Sequence, residues 1–122
     1  MTAARYDLTI DQGADFALEL TVKENGTAKD LSATGAKDWA VRGTYRKTYE
    51  EATGYNFTGT VKTPADGVIT VQQAFNANTS APAGTYVYDV ELYQHASGDT
   101  STMYQVIRLL QGNVNLRREI TR

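Results

Sequence analysis

The sequence predicts an all-β protein: a small antiparallel sandwich of about seven or eight short strands, with a small closed barrel as the rival architecture. Three observations carry this expectation. Apolar residues recur with a period of two along most of the chain, as in strands whose side chains alternate between faces. Turn signals interrupt the pattern about every ten residues. No stretch of useful length has the ~3.6-residue period of an amphipathic helix.

The elements follow in order. Tyr6, Leu8 and Ile10 alternate with Asp7 and Thr9, and Asp11-Gln12-Gly13-Ala14-Asp15 reads as a turn. Phe16, Leu18, Leu20 and Val22 then alternate with Ala17, Glu19, Thr21 and Lys23, the cleanest half-buried strand in the chain. Asn25-Gly26 supplies a tight turn, because both residues tolerate positive φ. Residues 27 to 32 (TAKDLS) are expected to return as a short strand ending at Leu31.

Trp39, Val41, Gly43 and Tyr45 share one parity, and a buried Trp39 would centre a sandwich core. Residues 48 to 54 (TYEEATG) are polar and read as a loop or a turn of helix. Tyr55, Phe57 and Val61 mark the next strand, with Gly59 leaving room on the same face. Thr63-Pro64-Ala65-Asp66-Gly67 is a strong turn before a short strand, Val68 to Val71. Gln72 to Ala81 is expected as a helical turn or a crossover, ended by Pro82, which fixes φ and donates no amide. Residues 84 to 93 (GTYVYDVELY) form another alternating strand, and His95 to Asp99 a hairpin loop. Met103 to Leu116 returns as a long strand. Its apolar residues on both faces between Val106 and Leu110 predict a central, covered position, and Gly112 a bulge or bend.

The chain has 122 residues, 41% of them hydrophobic, which suits one domain over residues 1–122 with a charged tail at 117–122. Its formal net charge of −2 disfavours nucleic acid, whose phosphates select basic surfaces. With no cysteine, disulfides and thiolate chemistry are excluded. No apolar run reaches the ~18 residues of a membrane span, and the N-terminus lacks the plan of a secretion signal.

The chemistry-bearing residues offer little catalysis. Asp89 and Glu91 lie two apart on one strand, ~7 Å from each other, and alternate with apolar neighbours. A glycosidase needs an acid pair across a cleft; here the acids read as the wet face of a strand whose dry face is Tyr86, Tyr88, Val90 and Leu92. His95, Ser97 and Asp99 share one loop, which cannot supply the convergent geometry of a triad, so His95 reads as a surface loop histidine. One histidine and no cysteine leave no zinc site. Asp11, Asp15 and Asp66 lack the ligand spacing of a dedicated calcium loop and read as turn acids. Phosphate-binding glycine loops are absent, and the sequence implies no cofactor.

The aromatics and arginines are more informative. Tyr6, Tyr86, Tyr88 and Tyr104 fall on strand positions, where burial with a bonded hydroxyl explains most of them. Tyr45, Tyr49 and Tyr55 flank a polar segment that also carries Arg46 and Lys47, and Tyr and Arg are enriched at protein interfaces. Arg46, Tyr49 and Tyr55 therefore form one candidate interface, with Tyr49 and Tyr55 expected to be replaceable without loss of the fold. Arg117, Arg118 and Arg122 in the tail form another.

These motifs carry a resemblance. Residues 6 to 16 (YDLTIDQGADF) look like the N-terminal motif of small virion proteins of tailed bacteriophages, of the kind found in phages of cyanobacteria and marine bacteria. Asp30-Leu31-Ser32, Ala81 to Leu92 (APAGTYVYDVEL), Val106 to Val114 (VIRLLQGNV) and the terminal Thr121-Arg122 are similar to later motifs of that family. The chain is more distantly similar to the N-terminal domain of phage baseplate upper proteins. The resemblance implies an immunoglobulin-like sandwich and a non-enzymatic structural role in the neck, tail, baseplate or fibre-attachment region. Its partners would be other virion proteins and further copies of itself, with no nucleic acid, membrane or small-molecule substrate, and its location the virion, after synthesis in the host bacterial cytoplasm. A carbohydrate-binding module that meets the host surface is the alternative, because sugars stack on exposed aromatic rings.

Overall fold

The computed structural model describes residues 3–120. The all-β class is observed. The described residues form ten strands: β1 (Ala4–Arg5), β2 (Leu8–Asp11), β3 (Phe16–Thr21), β4 (Lys23–Glu24), β5 (Thr27–Ala28), β6 (Lys37–Arg46), β7 (Gly54–Thr63), β8 (Val68–Gln73), β9 (Gly84–Ala96) and β10 (Asp99–Arg117). Eight of them form one curled sheet, half of a barrel, in the order β1-β10-β9-β6-β7-β8-β3, with β2 also on β10; β4 and β5 form a separate two-stranded hairpin.

The curl follows from where the apolar faces point. Along β9 the even-numbered Tyr86, Tyr88, Val90 and Leu92 are buried, and the register sets Val41, Gly43 and Tyr45 of β6 opposite Leu92, Val90 and Tyr88. Phe57 on β7, Ile69 and Val71 on β8, and Leu8, Ile10, Val114 and Leu116 complete one continuous core. Phe16, Leu18 and Leu20 of β3 are half-buried against it, as their alternation predicts. Curling lets a single sheet cover its own apolar side. The margins of the sheet approach but do not join: a gap of about 230 Å³ lies between Leu20 and Val22 on one side and Ala4, Leu109 and Leu110 on the other.

The turns form as their residues dictate. Asn25 (φ 53°) and Gly26 (φ 79°) are both left-handed and join β4 to β5. A 3-10 turn spans Pro64–Asp66, and a second at Phe75–Ala77 occupies the expected crossover. Gly59 has the predicted role: a Cβ there would lie 2.5 Å from the carbonyl oxygen of Val41.

Five expectations need correction. Residues 27 to 32 do not make a full strand; β5 stops at Ala28, and Leu31 enters the core from a loop. Trp39 is half-buried, and Tyr45, with no exposed surface, takes the centre instead. His95 is not a surface loop residue: β9 continues through Ala96, the hairpin tip is Ser97-Gly98, and the imidazole is buried beside the Tyr93 ring at 5.5 Å. The sheet is not purely antiparallel, since β1 and β2 run parallel to β10. Finally, β10 is covered for only part of its length.

Candidate docking surfaces

The residues opposite the core define an outer face. On β9 these are Asp89, Glu91 and Tyr93; on β6 they are Arg42, Thr44 and Arg46, paired in register with Glu91, Asp89 and Val87. Cross-strand neighbours on one face lie ~5 Å apart, close enough to meet. Arg42 Nε donates to Glu91 Oε1 at 2.9 Å, and its guanidinium carbon lies 5.0 Å from the Tyr93 ring centre. Arg108 on β10 pairs with Asp89 at 3.5 Å. The acids of the GTYVYDVELY strand therefore lie on the solvent face, each matched by an arginine. Burial, and then the charge of Glu91, push the Asp89 carboxyl above its ordinary range, against the opposing pull of Arg108, Arg42 and Arg46.

The segment between β6 and β7 folds over this face. Arg46 Nη1 donates to the carbonyls of Glu51 (3.1 Å) and Ala52 (2.8 Å), drawing the loop back onto its own strand. Below it runs a groove of about 330 Å³ lined by Arg46, Tyr49, Asp89, Glu91 and Arg108. Tyr49 stands at its rim with 84% of its surface exposed. Guanidinium, carboxylate and phenol together can donate, accept and stack, which suits contact with a polar partner.

The structure separates the six candidate interface residues. Arg46 and Tyr49 meet at the groove, where Arg46 shapes the loop. Tyr55 is a correction: its parity on β7 turns the ring inward, 5.4 Å from the Tyr45 ring and 6.0 Å from that of Tyr86, so it belongs to the core. Arg117 ends β10 and donates from Nε to Asp11 Oδ1 at 2.6 Å, a bond that lowers the Asp11 carboxyl and raises the guanidinium. Arg118 is exposed. Arg122 lies outside the described residues. The loop and Arg117 share one end of the sheet, because Arg46 opposes Val87 and Leu116 opposes Gly84 near the start of β9.

That end is held by a polar network that the sequence reading missed. Gln73 Oε1 accepts from the Tyr45 hydroxyl (2.9 Å) and from Asn78 Nδ2 (3.2 Å), while Asn78 Oδ1 accepts from the Gly13 amide at 2.8 Å. Gln12 Nε2 donates to the Ala81 carbonyl at 2.7 Å. Gln73 and Asn78 are fully enclosed, and each has partners, as buried amides must. Tyr86 and Tyr88 are buried with bonded hydroxyls, donating to the carbonyls of Pro82 and Tyr6, whereas Tyr6 and Tyr104 are exposed.

The opposite end carries the most conspicuous surface. β10 is 19 residues long. Its outer margin is covered by β1 at Leu110 and Gln111 and by β2 from Val114 to Arg117. From Asp99 to Leu109 that margin pairs with nothing among the described residues. Met103, Tyr104 and Val106 are 42%, 52% and 46% exposed along it. The apolar run at Val106 to Leu110 predicted burial, but an apolar strand whose cover is another molecule produces the same pattern.

Among the described residues no group of three or more His, Cys, Asp or Glu side chains is placed to hold a metal ion. No protein-family model and no curated protein matches the chain.

Proposed function

We propose that this chain is a non-enzymatic structural component of a tailed-bacteriophage virion, docking to other virion subunits in the neck, tail, baseplate or fibre-attachment region. The observation that supports this reading best is the free margin of β10 from Asp99 to Leu109, with Met103, Tyr104 and Val106 in solvent. A sheet margin exposes unpaired N–H and C=O groups, and soluble proteins blunt such margins or cover them. In a particle a neighbouring subunit covers them, by adding a strand. The likeness of residues 6 to 16 and 81 to 92 to phage virion proteins gives the reading its biological setting.

The docking elements at the other end of the sheet are the Tyr49 loop and the Arg117–Arg118 stretch. The role is tested by mass spectrometry of purified tailed particles from lysates of the host that yields this sequence. The expected result is a fixed copy number per particle; recovery only as free protein would refute it.

A host-surface carbohydrate module is the second reading, favoured by Tyr49 at the rim of a groove that holds Asp89 and Glu91. Exposed rings stack on sugars, and carboxylates accept hydroxyl protons. A glycan array separates the two readings: saturable binding lost in Tyr49→Ser supports the carbohydrate module.

A further inference from the structure

We propose that the free margin of β10 is the seat of a second copy of this chain, the two β10 strands pairing antiparallel about a two-fold axis close to Tyr104. This rests on the reading of the chain as an assembling subunit and names the contact and the occupant.

The argument begins with what the margin lacks. Between Asp99 and Leu109 there is no lysine and no proline, the residues that commonly keep strand margins from pairing. The register against β9 does shift between Asp99 and Met103, between Met103 and Gln105, and between Arg108 and Leu110. These irregularities leave Thr100 to Thr102 and Tyr104 without a register partner in β9, while Gln105 to Arg108 are evenly paired with it and present a regular stretch to the Thr100–Met103 segment of the other copy.

The charges choose the occupant. The segment carries only two, Asp99 at one end and Arg108 at the other. An antiparallel copy sets Asp99 opposite Leu109 and Arg108 opposite Thr100 of its partner, so unlike charges lie at the same end of the margin while Arg108 keeps Asp89 and Asp99 keeps Ser101 and Thr102. A parallel copy would set like charges together instead. Self-complementarity is the property a two-fold contact requires, because one patch must serve both sides. An axis near Tyr104 also sets Met103 against Gln105 and Thr102 against Val106 of the other copy, covering the exposed apolar side chains. Tyr104 is held in place beforehand: Lys37 Nζ lies 4.6 Å from its ring centre, which reduces the ordering cost of association. The product is one continuous sheet running through both copies.

The experiment uses the full chain. Analytical ultracentrifugation should show a concentration-dependent monomer–dimer equilibrium, and Val106→Lys should weaken it at least ~30-fold while leaving the circular dichroism spectrum unchanged. Because the chain has no cysteine, Tyr104→Cys gives a single thiol beside the axis. Mild oxidation should convert it to a covalent dimer, whereas Thr85→Cys, at the far end of β9, should stay monomeric on a denaturing gel. A wild-type chain that remains monomeric at millimolar concentration overturns the proposal. So does a dimer that survives Val106→Lys and fails to crosslink through Tyr104→Cys. A chain that is monomeric in solution but present at fixed copy number in particles rejects this pairing and leaves the virion role standing. A dimer absent from particles rejects the virion role alone.

Discussion

Replacing Asn78 with alanine tests whether the Gln73–Asn78 network holds the end of the sheet. Asn78 is completely enclosed. Its Oδ1 accepts from the Gly13 amide at 2.8 Å, and its Nδ2 donates to Gln73 Oε1 at 3.2 Å. Each bond contributes a net ~0.5–1.5 kcal/mol, and a buried donor left without a partner costs ~1–3 kcal/mol. Gln73 Oε1 keeps the Tyr45 hydroxyl, so the main loss falls on the Gly13 amide. The sum is ~2–4 kcal/mol, which lowers the melting temperature of a domain this size by ~8–16 °C. Urea unfolding followed through the fluorescence of the single tryptophan, half-buried Trp39, measures it directly. Asn78→Asp is the control. It keeps the acceptor for Gly13 but loses the donor to Gln73 and buries a charge, so at neutral pH it should be at least as destabilising. Acidification should recover part of the loss, because the protonated carboxyl can donate again. A change of less than ~0.5 kcal/mol for Asn78→Ala would show that the network is not what ties the β2–β3 turn to the crossover.

Three further outcomes follow from the packing. Tyr55→Ser should cost ~2–4 kcal/mol in the same urea assay, since it removes a ring packed on Tyr45 and Tyr86, whereas Tyr49→Ser should stay within ~0.5 kcal/mol. Gly59→Ala should cost roughly 3 kcal/mol or more, because the new methyl meets the Val41 carbonyl across the β6–β7 pair; a melting temperature near wild type would refute that contact. Burial, and then the charges of Asp7 and Tyr6, push the Tyr88 hydroxyl up to about 12. The folded state then holds this proton more tightly than the unfolded chain, whose tyrosines titrate near ~10. Its contribution is complete below pH ~10 and lost as pH rises towards 12, about 2–3 kcal/mol in all. Thermal melts between pH 9 and 12 should show the decline, and Tyr88→Phe should lessen it, leaving the part that comes from Tyr45 and Tyr86, whose hydroxyls burial also raises.

What the sequence made legible was local. Alternation alone places Phe16, Leu18, Leu20 and Val22 on the core side, because a period of two is a property of one strand and needs no partner. Asn25-Gly26 and the Thr63–Gly67 turn are equally self-contained, fixed by which residues tolerate positive φ or hold it constant. The misreadings concern relations between distant segments. Gln73 and Asn78 look like ordinary polar residues in a connecting segment, and only the arrival of Tyr45 and Gly13 makes them a buried network. Tyr55 lies near the same polar loop as Tyr49, although strand parity alone turns its ring to the Phe57 side. Strand direction leaves no trace in periodicity, so the parallel docking of β1 and β2 on β10 was invisible. Of the candidate sites, the Arg46–Tyr49 loop was legible from composition. The free margin of β10 was not, because apolar residues on both faces say that a strand is covered without saying by what.

The boundary between the closed and open halves of β10 has a local cause. A Cβ on Gly112 would lie 2.5 Å from the Tyr6 carbonyl oxygen, so only a residue without a side chain lets the chain cross there from β1 to β2. The same carbonyl accepts from the Tyr88 hydroxyl, the Tyr6 amide donates to the Gln111 carbonyl at 3.0 Å, and Asp7 Oδ1 accepts from the Asn113 amide at 3.0 Å. The crossing is thus held from three sides, and it fixes how far along β10 the N-terminal strands can reach. Below it, Leu8 and Ile10 seal the core against Val114 and Leu116. On the other side of Leu110 lie eleven residues, Asp99 to Leu109, of which Asp99, Met103 and Gln105 to Arg108 pair with β9, while the outer margin pairs with nothing among the described residues. β9 holds the strand from its inner side at Asp99, Met103 and Gln105 to Arg108, so the fold does not call on the outer margin there. The geometry that completes the fold at one end of β10 therefore leaves the outer margin of the other end unpaired among the described residues, held on its inner side by β9 at Gln105 to Arg108.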